Sequence, residues 1–189
     1  GSNAGGWSGD FSVCSKRFIE NKSQFDIMVK SSHSKILYGI DWGRTKMFFT
    51  AQGLTYRFDN PEKDKNRKKG SPEPKYIANY DLVYMQWENA NPNVQVIVEE
   101  KTDDYFSYCI NQKENINYIK AYKKLIYKNL YPNIDAVYEF TSERAGGEAG
   151  IKYSLILHPG ADASKIKKKY TDADRISIDA KGNIHLPTK

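Results

Sequence analysis

Apolar residues recur along this chain with the period of two that marks half-buried strands. Residues 36–42 and 46–50 flank a Gly43-Arg44 turn. Gly53 then opens a stretch in which Leu54, Tyr56 and Phe58 alternate with Thr55 and Arg57, so a three-stranded meander is predicted. Residues 76–88 carry Ile77, Leu82, Val83, Met85 and Trp87, end at a turn-forming Asn-Ala-Asn-Pro-Asn cluster, and precede 94–98, which predicts a hairpin of 76–88 with 94–98. Strands are predicted again over 105–108, 121–127, 134–140 and 151–157, with turns at Tyr131-Pro132-Asn133 and Ala145-Gly146-Gly147. Residues 175–179 and 183–186 flank Ala180-Lys181-Gly182 and form the clearest hairpin in the chain. Sustained helical spacing is missing. The helix candidates are one turn at 162–166, with Asp162 as N-cap, and a second short segment at 115–121. The pattern predicts an all-β fold, an antiparallel β-sandwich or distorted barrel with one or two short helices.

At roughly 150 residues per domain, 189 residues predict one domain. Gly1–Ala4 reads as the scar of a cleaved tag, and with the Gly- and Ser-rich stretch that follows it makes 1–10 a tag remnant and flexible leader, leaving 11–189 as a single β-rich domain. The chain stops just after a predicted strand, where a domain boundary is expected. Residues 60–75 hold three prolines and many charges with nothing apolar to anchor them, and read as a solvated loop. Tyrosine dominates the aromatic residues, 14 of them beside 8 Phe and 3 Trp, which suits pleated, half-buried surfaces.

Charge and motif counting remove most classes of chemistry. A net charge of +6 is weaker and less clustered than a nucleic-acid reader requires, so no nucleic-acid partner is expected. Nothing approaches the roughly 20 apolar residues of a membrane-spanning helix. His33, His158 and His185 have no zinc-ligand spacing, no phosphate-binding glycine loop occurs, and Gly6-Trp7-Ser8-Gly9-Asp10 lacks the second glycine of a nucleophile elbow. Asp103-Asp104 and the Asp172, Asp174, Asp179 group read as solvated carboxylates, the latter lacking a calcium loop's glycine and terminal glutamate. No catalytic residue, metal or cofactor is expected, and the chain reads as no enzyme. Cys14 and Cys109 are too few for a disulfide framework. They read as buried free thiols, with one disulfide as the alternative in an oxidising compartment.

Exposed rings are the one binding signal. Trp42, Trp87 and Tyr105 stand near predicted strand ends or turns, where flat rings would meet the faces of sugars. They are the candidate ligand-binding residues, to be recognised by two of them lying coplanar and exposed on one face. Glu20, Asn21 and Gln24 sit among Phe18, Ile19 and Phe25, and read as a polar network pinning the first segment to the sheet.

Four phrases keep one order: Phe-Ile-Glu-Asn-Lys-Ser-Gln at 18–24, Lys-Met-Phe-Phe-Thr at 46–50 with Gly-Leu-Thr-Tyr-Arg-Phe at 53–58, Tyr-Lys-Asn-Leu-Tyr-Pro-Asn-Ile-Asp-Ala-Val-Tyr at 127–138, and Lys-Tyr-Ser-Leu-Ile-Leu-His-Pro-Gly-Ala-Asp at 152–162. Together they resemble the uncharacterised N-terminal domain of large secreted or surface proteins of gliding-type Gram-negative bacteria. That domain precedes β-propeller-type repeats, PKD-type or immunoglobulin-like domains and a type IX secretion sorting domain. Ser23 stands where the family usually has glycine and Ala163 where proline is common. The resemblance implies an exported module without assigned catalytic residues. The reading is therefore a monomeric, non-enzymatic structural or adhesive N-terminal module of a larger cell-surface or secreted protein. Its partners would be other domains of the same polypeptide and an extracellular glycan or protein, with a carbohydrate-binding module for extracellular polysaccharide as the alternative function.

Overall fold

The computed structural model describes residues 16–29, 34–70, 72, 75–111, 114–140, 150–171, 177–178 and 184–185. Its strands are β1 (Phe18–Glu20), β2 (Ile36–Trp42), β3 (Thr45–Thr50), β4 (Gly53–Asp59), β5 (Glu62–Lys63), β6 (Tyr76–Ile77), β7 (Tyr80–Trp87), β8 (Gln95–Asn111), β9 (Glu114–Tyr131), β10 (Ile134–Phe140), β11 (Ile151–Leu157), β12 (Lys168–Thr171), β13 (Ser177–Ile178) and β14 (Ile184–His185). Two single 3-10 turns, Asp26–Met28 and Ala163–Lys165, are the helical part of the described residues. The main sheet runs β11-β10-β9-β1-β2-β3-β4-β7-β12, with β8 on the other edge of β9, and curls into an antiparallel half-barrel.

The predicted meander is β2-β3-β4. The predicted β7–β8 hairpin is not formed. β7 lies between β4 and β12, and β8 pairs with β9. Residues 115–121, a helix candidate from sequence, belong to β9. Ile116 and Ile119 do face one cluster at a spacing of three, but a one-residue bulge supplies that spacing, since Phe106 pairs with Ile119 and Tyr108 with Ile116. Tyr118, at φ 58°, is within the bulge. β13 pairs with β14 as the terminal hairpin requires; its loop, like Cys14, His33 and the 145–147 turn, lies outside the described residues.

Two cores result because the middle of the sheet is covered on both faces. On the concave side Phe18, Ile40, Phe49, Leu54, Met85 and Trp87 meet Leu125, Tyr127, Ala136 and Tyr138. On the convex side the chain after β1 folds back, and Phe25, Val29, Ile19 and Phe48 pack with Ile119 of the long hairpin. Neighbouring residues of β3 therefore serve different cores, Phe49 one and Phe48 the other.

Hydroxyls tie the curl together. The buried Tyr127 hydroxyl donates to Thr50 O at 2.7 Å and lies 3.1 Å from Gly53 O, joining β9 to the β3–β4 turn across the concave core. Tyr131 donates to Glu88 O at 2.7 Å and accepts from Lys167 N–H at 3.3 Å, fastening the ends of β7 and β12. At the open side the end strands touch through side chains: the Trp87 and Tyr153 rings are 5.9 Å apart, and the Lys168 ammonium sits 4.1 Å from the Tyr153 ring and 4.9 Å from that of Trp87.

Candidate functional site

The polar residues that sequence singles out near β1, and Asp135 on β10, are engaged with backbone. Asn21 donates to Ile36 O at 2.9 Å and to Asp26 Oδ1 at 2.8 Å, while its own Oδ1 accepts from Ser23 N–H and Phe25 N–H. Gln24 is buried, donating to Glu20 O and accepting from Lys22 N–H. The expected pinning network is thus present. Asp135, whose side chain is 3% exposed, accepts from Asn129 N–H at 2.7 Å, Lys128 Nζ at 2.7 Å and His158 Nε2 at 2.9 Å. Burial favours its neutral acid, but these three donors outweigh burial and hold the carboxyl down at about 2. Asp162 caps the second 3-10 turn by accepting from Ser164 N–H, as its position predicts.

A second charged group on the convex face is also internally satisfied. Asp59 receives Lys46 at 2.8 Å and Arg57 at 2.6 Å, and Arg57 stacks 4.0 Å over the Tyr80 ring while donating to Met28 O. This arrangement clamps the 3-10 turn to the meander. Among the described residues no three His, Cys, Asp or Glu side chains are placed to hold a metal.

An open feature lies where β8 bulges. Lys101 pairs with Tyr122 and Tyr105 with Lys120, so four steps on β8 span two on β9, and Glu100 at the start of the bulge has φ 56°. Thr102, Asp103 and Asp104 thus stand opposite the single Ala121, two residues in excess; Asp103 and Asp104 are exposed, and buried Thr102 anchors the bulge by donating to Ala121 O at 3.3 Å. A depression of about 310 Å3 results, lined by Arg17, Glu100, Lys101, Asp103, Asp104 and Lys123 around Thr102. Arg17 approaches Asp104 at 3.4 Å, and its Nε is buried without a hydrogen-bond partner. Lys101 reaches along the hairpin to lie 5.3 Å from the Tyr105 ring, with its ammonium 3.3 Å from the hydroxyl. Tyr105 is 53% exposed and Tyr118 is 80% exposed; their rings meet edge to face at 6.2 Å.

The three rings chosen from sequence are dispersed by this fold. Trp87 is 2% exposed and belongs to the concave core, so its position at a strand end does not make it a platform: its side chain points into the curl. Trp42 is half-buried against Phe140. Tyr105 alone is exposed, and its companion is Tyr118 rather than either tryptophan. The rings are inclined at 72°, not coplanar. Asp103 and Asp104 are exposed, as expected for solvated carboxylates. Cys109 is exposed rather than buried, because Tyr108 beside it takes the inward side of β8 and packs on Phe25 at 5.5 Å. Arg17, Lys101, Lys123 and Tyr118 escape a reading of the sequence. Their meeting depends on the bulges and on β1 joining the opposite edge of β9, and neither leaves a local motif.

No curated protein and no solved structure matches the chain. A family model described as a domain of unknown function, DUF7948, matches residues 18–189, almost all of the sequence, and the chain belongs to that family.

Proposed function

We propose that this chain is a non-enzymatic structural and adhesive module of a larger exported protein, secreted or held at the cell surface, acting beside other domains of the same polypeptide. The observation that carries the reading is the division of polar groups. Asn21, Gln24, Asp135 and the hydroxyls of Tyr127 and Tyr131 bind backbone, while the β8–β9 hairpin carries the exposed rings of Tyr105 and Tyr118 beside a charged depression. Rigid internal bonding with an exposed, mixed aromatic and charged face suits contact rather than turnover.

Beads coated with the domain, drawn across films of extracellular polysaccharide and of protein, test the reading. The expected result is detachment at higher shear than beads coated with an inert protein, with both films left chemically intact. Equal detachment, or release of soluble products from either film, would contradict it.

A further inference from the structure

The depression at the β8 bulge is lined by three cations, Arg17, Lys101 and Lys123, and three carboxylates, Glu100, Asp103 and Asp104. Such a lining is balanced. A site for a polyanion would carry a surplus of positive charge, and a cation site a surplus of carboxylate. What matches alternating donors and acceptors is a ligand rich in hydroxyl groups, each able to give and to receive. The Arg17 side chain is 28% exposed at the depression, its terminal nitrogens meeting Lys16 O and Asp104 while its Nε is enclosed.

Next to this polar floor stands an apolar wall. Tyr105 and Tyr118 are exposed, and the rings meet edge to face at 6.2 Å, inclined at 72°. Lys101, which lines the depression, also touches Tyr105, so the floor and wall are one surface. A tyrosine at φ 58° is strained, and a ring 80% exposed gives the fold little packing to offset that strain. The backbone presents this ring to the outside instead.

We propose that the β8 bulge and the Tyr105–Tyr118 pair form a binding site for a neutral polysaccharide, one sugar residue seated in the corner between the inclined rings, in place of a flat platform, and its hydroxyls meeting Arg17, Lys101, Asp103 and Asp104. This rests on the adhesive reading above and names its ligand class. The balanced lining makes binding insensitive to salt.

Calorimetric titration of the whole domain with a soluble neutral glucan, a neutral galactomannan and an anionic polygalacturonate tests the site. At least one neutral polymer is expected to bind with little change in high salt. Tyr118→Ser and the double variant Tyr105→Ser, Tyr118→Ser are expected to lose about tenfold or more in affinity while keeping the wild-type circular dichroism and melting temperature. Arg17→Met is the second probe. It is expected to weaken the same polymer, with its fold checked in the same way. The site is overturned if no neutral polymer binds, if binding is confined to polygalacturonate and vanishes in salt, or if folded tyrosine variants bind like wild type. Should beads still hold to a protein film while no glycan binds, the adhesive reading survives and the glycan site does not.

Discussion

Phe25 lies flat against Gly39: a β-carbon at residue 39 would fall 2.5 Å from Phe25 Cε2. β2 gives up a side chain there so that the segment after β1 can cover the convex core. Gly39→Ala is expected to destabilise the domain by about 1–3 kcal/mol, read by urea denaturation, and Phe25→Leu in the same chain should recover part of that loss. Gly53→Ala should be worse, because its β-carbon would meet the carbonyl of Met85, 1.9 Å away, rather than a ring that can shift.

Asp135 sets the acid limb of stability. Its carboxyl titrates at about 2 in the folded chain against an ordinary 3.8, so the folded state binds fewer protons through that window. The stabilisation is complete above about pH 4 and is lost as pH falls through the folded value, and it amounts to roughly 2 kcal/mol. Asp135→Asn should lose about that much at neutral pH and flatten the decline between about pH 4 and pH 2. An unchanged acid limb would show that the three donors do not act on this carboxylate.

Ser23 adopts φ 86°, a conformation that costs a side-chain-bearing residue energy and costs glycine almost none. Ser23→Gly is therefore expected to stabilise the domain by about 0.5–1 kcal/mol despite the added freedom of the unfolded chain. Thermal unfolding checks the sign.

Tyr127 and Tyr131 both cross-link the half-barrel through their hydroxyls, and they should fail differently. Tyr127→Phe leaves the carbonyls of Thr50 and Gly53 without its hydroxyl in the buried core and should cost about 1–2 kcal/mol. Tyr131→Phe removes a group bonded to both Glu88 and Lys167 at the end of β12. Hydrogen exchange is expected to show faster opening of β12 in Tyr131→Phe, whereas in Tyr127→Phe it should speed across the whole sheet.

The alternation of Leu54, Tyr56 and Phe58, and the clean runs of β10 and β11, made those strands legible: the predicted 36–42, 134–140 and 151–157 are the observed bounds. The cap at Asp162 and the pinning role of Asn21 are equally readable, since each acts within five residues or on the neighbouring strand. The long hairpin was not. Bulges at 102–104 and at 117–118 shift the alternation, so polar residues interrupt β8 and a spacing of three imitates a helix in β9. The pairing of β7 with β12 joins residues about eighty positions apart, and local pattern contains no term for it. The candidate site was half visible: Tyr105, Asp103 and Asp104 stood out as residue types, but Arg17 and Tyr118 reach them only through that register.

The central claim is that tyrosine-rich strands curl into a half-barrel that shields a set of tyrosines from solvent. Burial raises the phenols of Tyr38, Tyr56, Tyr108, Tyr127, Tyr138, Tyr153 and Tyr170, that of Tyr153 to about 12. These groups stay protonated in the folded chain while the unfolded chain ionises, so their contribution is present below about pH 10 and is lost as pH rises further. Spectrophotometric titration of the 14 tyrosines, followed beside far-ultraviolet circular dichroism, is the direct measurement. The expected curve holds the phenols named above back, so that they ionise only as the sheet signal collapses. A single reversible step near pH 10 with all phenols ionised and the sheet intact would contradict that shielding.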